Sequence, residues 1–363
     1  MGAVASALPS AIWSARFAQR CNKDKLTYAA NIKSLDAIAG DCHYQAGRHL
    51  RRGKGRGLQD MNLLVLGSSG QLARSLIGVK AVTAVRVMAI GRPEIDVRVP
   101  ESIARAFDRH EPDLVVNTAA YTAVDQAESE PDAAHALNAT GAGHVAEACE
   151  RAHIPLIHTS TDYVFDGAKP SPYREDDGTA PLNVYGGSKL AGERLVMSLC
   201  SRHIILRTAW LVSSHGRNFV TTMLRLAETR PNLDVVDDQH GSPTFAPHLA
   251  AAILAISERL AGRTAPWGIY HAAGAGEATW CDVAREVFSA SASLNGPSAS
   301  VRPISSADYP TRARRPANSR LNCQKLEQAF GLRFADWRVG IAECIRSLNA
   351  GNPAGRLDSR GMG

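Results

Sequence analysis

The sequence predicts an α/β protein built on a doubly wound parallel sheet, with a smaller C-terminal lobe. Three observations carry this. From Met61 onward, short runs rich in Val, Ile and Leu alternate with longer segments of helical periodicity. The short runs are almost continuously apolar, as strands buried on both faces must be. The turn after the first run is rich in glycine, as the first strand-to-helix turn of such sheets is.

In chain order, Asn62 to Leu66 reads as the first strand, Gly70 to Val79 as a helix and Val85 to Ile90 as the second strand. A helix over Glu101 to His110 leads to a third strand, Leu114 to Thr118. Pro131 to His153 reads as one long helix, because its Ala, Leu and Val residues recur at helical spacing, and Pro155 to Ser160 is the fourth strand. A helix over Tyr185 to Cys200 precedes the fifth strand, His203 to Thr208. There follow a helix from Asn218 to Glu228, a strand near Leu233 to Val236, a helix from Pro247 to Leu260 and a strand at Gly268 to His271. Seven strands in this order imply right-handed crossovers within one sheet. Gly, Ser and Pro clusters interrupt the rhythm at 209–218 and from 273 onward, the segments left for a second lobe.

The net charge of +6 lies wholly in residues 1–60, which hold ten Lys and Arg against four Asp and Glu. The remaining 31 basic and 31 acidic residues balance. The body therefore has no global attraction for nucleic acid. Seven cysteines are scattered without a Cys-x-x-Cys pair, and read as reduced thiols of a cytoplasmic protein with neither disulfides nor a zinc site. No apolar run approaches the roughly 18 residues of a membrane span. Residues 1–60 fit three descriptions: an N-myristoylation pattern at Met1 to Ser6, a basic transit segment, or a disordered or mis-started extension before Met61. The last is preferred, since short motifs of this kind arise often by accident.

Gly67-Ser68-Ser69-Gly70-Gln71-Leu72-Ala73 lies between the first strand and its helix, the context a dinucleotide phosphate loop requires. Glycine lets backbone approach a pyrophosphate, and the free N–H groups of the helix end face its charge. About 20 residues on, where an acid would accept the ribose 2′-hydroxyl of NAD, stands Arg92. Arginine suits a 2′-phosphate, so NADPH is the expected cofactor and NADH the alternative. Asp96 lies where it could touch the adenine, and Ala119, Ala120 and Tyr121 end the third strand where backbone would pass the cofactor. These observations divide the chain into an extension (1–60), a dinucleotide-binding domain (61–272, with a substrate-lobe insertion near 209–218), a mainly substrate-binding lobe (273–350) and a tail (351–363).

Tyr185-Gly-Gly-Ser-Lys189 places a phenol and an ammonium on one helix face. A nearby cation favours phenolate and lowers the pKa of tyrosine, which suits proton donation to a carbonyl. Thr161, after the fourth strand, adds a hydroxyl. With this Thr/Tyr/Lys set and the phosphate loop, the chain resembles the extended short-chain dehydrogenase/reductase family. Within it, the segments 117–125, 160–167, 181–193, 207–210, 237–244 and 314–321 resemble the dTDP-4-dehydrorhamnose reductases, over Met61 to about Leu348.

The resemblance implies reduction of a nucleotide-sugar C4 ketone by NADPH, as in making precursors of cell-surface polysaccharide. Tyr185 would be the general acid, Lys189 would lower its pKa and hold the nicotinamide ribose, and Thr161 would hydrogen-bond the same oxygen. Asp162 would help position the sugar; Trp210 would line the sugar pocket or serve equally as a core aromatic; Asn218 would meet the nucleotide phosphates or equally serve as the N-cap of its helix; Arg314 or Arg315 would suit the diphosphate. Some members bind magnesium at a dimer contact through glutamates, but Arg74-Ser75 follows the loop here, so no metal is expected; a homodimer remains compatible. A 4,6-dehydratase is disfavoured, because Asp162 is followed by Tyr163 where dehydratases carry an Asp-Glu pair. An epimerase, or a non-catalytic NADP-binding subunit similar to methionine adenosyltransferase β, remains open.

Overall fold

The computed structural model describes residues 61–79, 85–260 and 265–351. The three readings of residues 1–60 and the tail from 352 lie outside them. Six strands form one parallel sheet: β1 (Met61–Leu66), β2 (Val85–Ile90), β3 (Leu114–Asn117), β4 (Leu156–Thr161), β5 (His203–Thr208) and β7 (Gly268–His271). Their order across the sheet is β7-β5-β4-β3-β1-β2. Successive strands move outward from β1 to β2, and the chain then returns to the other side of β1 at β3. That reversal opens a crevice at the carboxyl ends of β1 and β3, where open α/β sheets bind ligands.

The run Leu63-Leu64-Val65-Leu66 is apolar throughout because both faces are covered. Leu63 and Val65 point to one core with α1 (Gln71–Gly78), α6 (Ala246–Leu260) and α8 (Gln324–Phe330). Leu64 and Leu66 point to the other, with α2 (Pro100–His110), α3 (Gly141–Ala152) and α4 (Val184–Leu199). Each of these side chains is fully enclosed and contributes about 1.5–3 kcal/mol by burial.

The structure corrects the expected course of the chain at two points. The strand β6 (Asn232–Val236) is not part of the central sheet: it pairs in parallel with β8 (Ser300–Ile304), a short segment whose Arg302 and Pro303 interrupt any strand signal. With α5 (Phe219–Ala227), α7 (Trp280–Ala292) and α9 (Trp337–Gly351), this pair encloses a third core that includes Leu233, Val235, Phe288 and Ile341. The long helix expected over 131–153 runs without a gap from Pro131 to Ala152 but is interrupted in its regular winding by a π-helical turn. A helical turn Pro131–His135 passes into π-helical Ala136–Thr140 before α3 begins. The wide turn carries Asn138, whose amide bonds the backbone N–H and C=O of Tyr121 and the hydroxyl of Ser188. Helical periodicity continues through such a turn, so the interruption is invisible in the hydrophobic pattern.

Candidate active site

A cleft of about 890 Å³ runs along the carboxyl edge of the sheet from the glycine loop to Trp210. At one end, Gly67 takes a φ of +105°, which an L side chain rarely adopts. A β-carbon there would also stand 3.0 Å from Thr118 Oγ1 and 3.1 Å from Ala119 N. Gly70 caps α1 in extended conformation, and a β-carbon on it would meet no protein atom within 4 Å. The first helical N–H groups thus face open cleft, the arrangement that receives a pyrophosphate. The loop therefore fits a dinucleotide. The Gln71 side chain does something else: it ties α1 to the second lobe, accepting from Ser213 Oγ (2.9 Å) and Asn218 Nδ2 (3.0 Å) and donating to the carbonyl of Leu211 (3.3 Å).

Arg92, Asp96, Ala119, Ala120 and Tyr121 all line this half of the cleft. Arg92 is exposed. Asp96 is chelated by Arg98, with Nε at 2.9 Å and Nη2 at 2.5 Å, and these charge-assisted bonds hold its carboxyl down to about 2. Arg98, also on the cleft wall, gave no distinct sequence signal because its role depends on this pairing. The Tyr121 hydroxyl donates to Glu130 at 2.7 Å.

Further along, Thr161 ends β4 and caps a short 3-10 turn (Asp162–Val164), its oxygen accepting from Tyr163 N at 3.2 Å. The helix α4 begins at a capped Asn183 and presses on that turn: a β-carbon on Gly186 would lie 2.1 Å from the carbonyl oxygen of Tyr163. Glycine is required by this approach. It sets Tyr185 against Tyr163, ring centroids 5.8 Å apart and nearly perpendicular, with its hydroxyl beside Thr161. Lys189, one turn on and buried, donates from Nζ to the carbonyl of Thr159 at 2.6 Å. Tyr185, Lys189, Thr161 and Asp162 thus share one wall.

The electrostatics of that wall differ from the expectation that Lys189 lowers the pKa of Tyr185. Burial pushes the phenol up to about 12, against a smaller pull from Thr161, with Asp162 raising it further. Lys189 is brought down to about 8 by burial, opposed by Glu193. Asp162 is lifted to about 7, again by burial first, with the Ser319 and Thr161 hydroxyls opposing. Desolvation outweighs pairwise charge at each of the three.

Trp210 faces them from beyond β5 and lines the cleft. Its φ of +45° is left-handed, a backbone state that costs about 1 kcal/mol or more for a bulky residue. Its ring stacks on Trp280 at 3.6 Å and 6°. The other two substrate-site expectations do not reach the cleft lining. Asn218 is the N-cap of α5 in a full capping box, its side chain committed to Thr221, Gln71 and Ser213. Arg315 forms a bidentate pair with Asp125, at 3.1 and 2.7 Å. Both side chains are engaged by partners far away in sequence.

The segment from 61 to 350 matches the family described as RmlD substrate binding domain. A dTDP-4-dehydrorhamnose reductase of Sinorhizobium fredii is 48% identical over 290 residues, spanning 79% of this chain and 98% of its own. The chain belongs to the dTDP-4-dehydrorhamnose reductase family. The family member from Escherichia coli is 41% identical over 294 residues, covering 79% of this chain and 98% of that one. Among solved structures, the reductase of Clostridium acetobutylicum shares 34% identity at a TM-score of 0.74, covering 80% of this chain and all of the other. The Bacillus anthracis reductase, crystallised in complex with NADP, shares 33% identity at a TM-score of 0.74, with 79% and 99% covered.

Proposed function

We propose that this protein reduces the C4 ketone of dTDP-4-dehydro-6-deoxy-L-mannose to dTDP-L-rhamnose at the expense of NADPH, with Tyr185 as general acid. One observation carries the reading. Tyr185, Thr161 and Lys189 converge on the cleft that begins at the Gly67 loop, so a ketone and a nicotinamide held there would share a single wall. The loop backbone from Gly67 to Leu72 would hold the pyrophosphate, Arg92 the 2′-phosphate, and Lys189 the nicotinamide ribose.

Bound NADPH supplies the hydride that C4 receives. Negative charge then develops on O4, where the Tyr185 hydroxyl donates and the Thr161 hydroxyl joins it by turning its proton away from Asp162. With its pKa raised to about 12, Tyr185 is protonated at neutral pH and ready to give its proton. An alkoxide is more basic than a phenolate, so the transfer still runs downhill. The ammonium of Lys189 compensates the phenolate left behind. Trp210, stacked on Trp280, supplies an apolar face on the side where the sugar would lie.

The substrate is a small nucleotide sugar, and the working compartment we assign is the cytoplasm, which suits the free thiols Cys149, Cys200, Cys281, Cys323 and Cys344. Among the described residues no helix is long and apolar enough to cross a membrane. The test is a coupled assay in which the purified protein oxidises NADPH only when the 4-keto sugar nucleotide is present, with dTDP-L-rhamnose identified by mass and chromatography. Binding of NADPH without any reduction would refute the reading.

A further inference from the structure

Behind the catalytic wall lies a polar cluster that the mechanism does not use. Glu193 follows Lys189 by four residues on α4 and is wholly buried. Its carboxylate accepts from Arg207 Nε (2.9 Å) and Nη2 (2.7 Å) and from Ser160 Oγ (2.5 Å). Arg207 and Ser160 are themselves buried, and they are register partners on β5 and β4. The neighbours of Ser160 on β4 are Thr159, whose carbonyl holds Lys189 Nζ, and Thr161, which contacts Tyr185. A buried ion pair gains little over an apolar pair of similar volume, so stability alone does not account for three polar side chains sealed at this point.

We propose that Glu193 is a positioning residue for Lys189: clamped by Arg207 and Ser160, its carboxylate keeps the lysine charged and in place beside Tyr185. This rests on the reading of Tyr185 and Lys189 as the catalytic pair. Residues four apart share a helix face, so the carboxylate, its oxygens taken by Arg207 and Ser160, attracts the ammonium across one helical turn, and its grip on Ser160 steadies the strand whose Thr159 carbonyl takes Nζ. Its effect opposes the burial that brings Lys189 down to about 8. The Thr159 carbonyl also favours the ammonium by accepting from it, but the other titratable groups around the lysine do not. His158 on β4 is held neutral by burial and by the lysine itself, Arg207 on β5 is cationic, and Asp162, in the turn after β4, faces Tyr185. Removing the carboxylate lets the lysine lose its proton at lower pH, and activity that needs the ammonium then declines from a lower pH.

The test is the pH profile of kcat/KM for Glu193→Gln and Glu193→Asp. In Glu193→Gln the alkaline limb should move toward acid by at least about one pH unit, with activity largely recovered near pH 6. Glu193→Asp keeps the charge and should leave the limb in place even if the protein melts earlier. Should Glu193→Gln fail to fold, Glu193→Gln/Arg207→Met leaves no buried charge unpaired and is read the same way. A limb that stays put in whichever variant folds, with turnover lowered equally at every pH, would overturn the proposal in favour of a purely structural clamp. Lys189→Met separates the two claims. Native turnover in that variant would sink the catalytic reading itself, whereas lost turnover beside an unmoved Glu193→Gln limb would sink only the inference.

Discussion

Asp162→Asn isolates the cost of burying a carboxyl beside Tyr185. Asp162 is buried, and its pKa rises from the ordinary 3.8 to about 7. Asparagine has the same shape and can still accept the hydrogen bond that Thr161 donates at 3.0 Å. A raised carboxyl means the folded protein binds this proton more tightly than the unfolded chain, so this group makes stability fall as pH rises between the two values. The penalty starts near pH 4 and levels off above pH 7. Between pH 5 and pH 8 it amounts to roughly 2.5 kcal/mol, from about 1.4 kcal/mol per pH unit until the folded form ionises. For a folded body of this size that corresponds to roughly 3–4 °C in Tm. Thermal melts of both proteins without substrate, in matched buffers from pH 5 to 8, should show the native protein losing ground to Asp162→Asn as pH rises. A difference in Tm that is constant over the whole range would refute the reasoning.

Two other substitutions probe the ends of the cleft. Gly241→Ala places a β-carbon 2.3 Å from Cε2 of Trp210, so the indole must leave its stack on Trp280; the expected outcome is a stability loss of about 1–3 kcal/mol in denaturant titration, with a raised KM for the sugar nucleotide. Arg92→Ala should raise KM for NADPH about 10- to 100-fold while leaving NADH nearly unaffected, since it removes one charge-assisted bond to the 2′-phosphate. Steady-state kinetics with both nucleotides reads that ratio directly.

Local chemistry made much of this protein legible from its sequence. The six central strands announce themselves because burial on both faces demands unbroken apolar runs, and the Gly67 loop and the Tyr185 to Lys189 spacing each work within one short segment. What escaped the sequence depends on partners brought together by the fold. The pairing of Asn232–Val236 with Ser300–Ile304 joins segments some 68 residues apart, one of them interrupted by a proline. Asn218 and Arg315 have the right chemistry for a diphosphate, yet their side chains are engaged by Gln71 and Asp125. Glu193 could have been singled out, being an acid one turn after Lys189 among apolar neighbours, but its clamp at Arg207 lies on the next strand. The direction of the Tyr185 shift was misjudged for a related reason: sequence shows which charges are near, and burial, which dominates, appears only in the fold.

The central claim is that Tyr185 donates a proton to the C4 oxygen during a hydride reduction. Single-turnover reduction of dTDP-4-dehydro-6-deoxy-L-mannose by Tyr185→Phe, under saturating NADPH, tests it most directly. The rate should fall at least about 100-fold, the typical loss on removing a general acid, while NADPH binding by fluorescence is unchanged. Native-rate reduction by the phenylalanine variant would contradict the account.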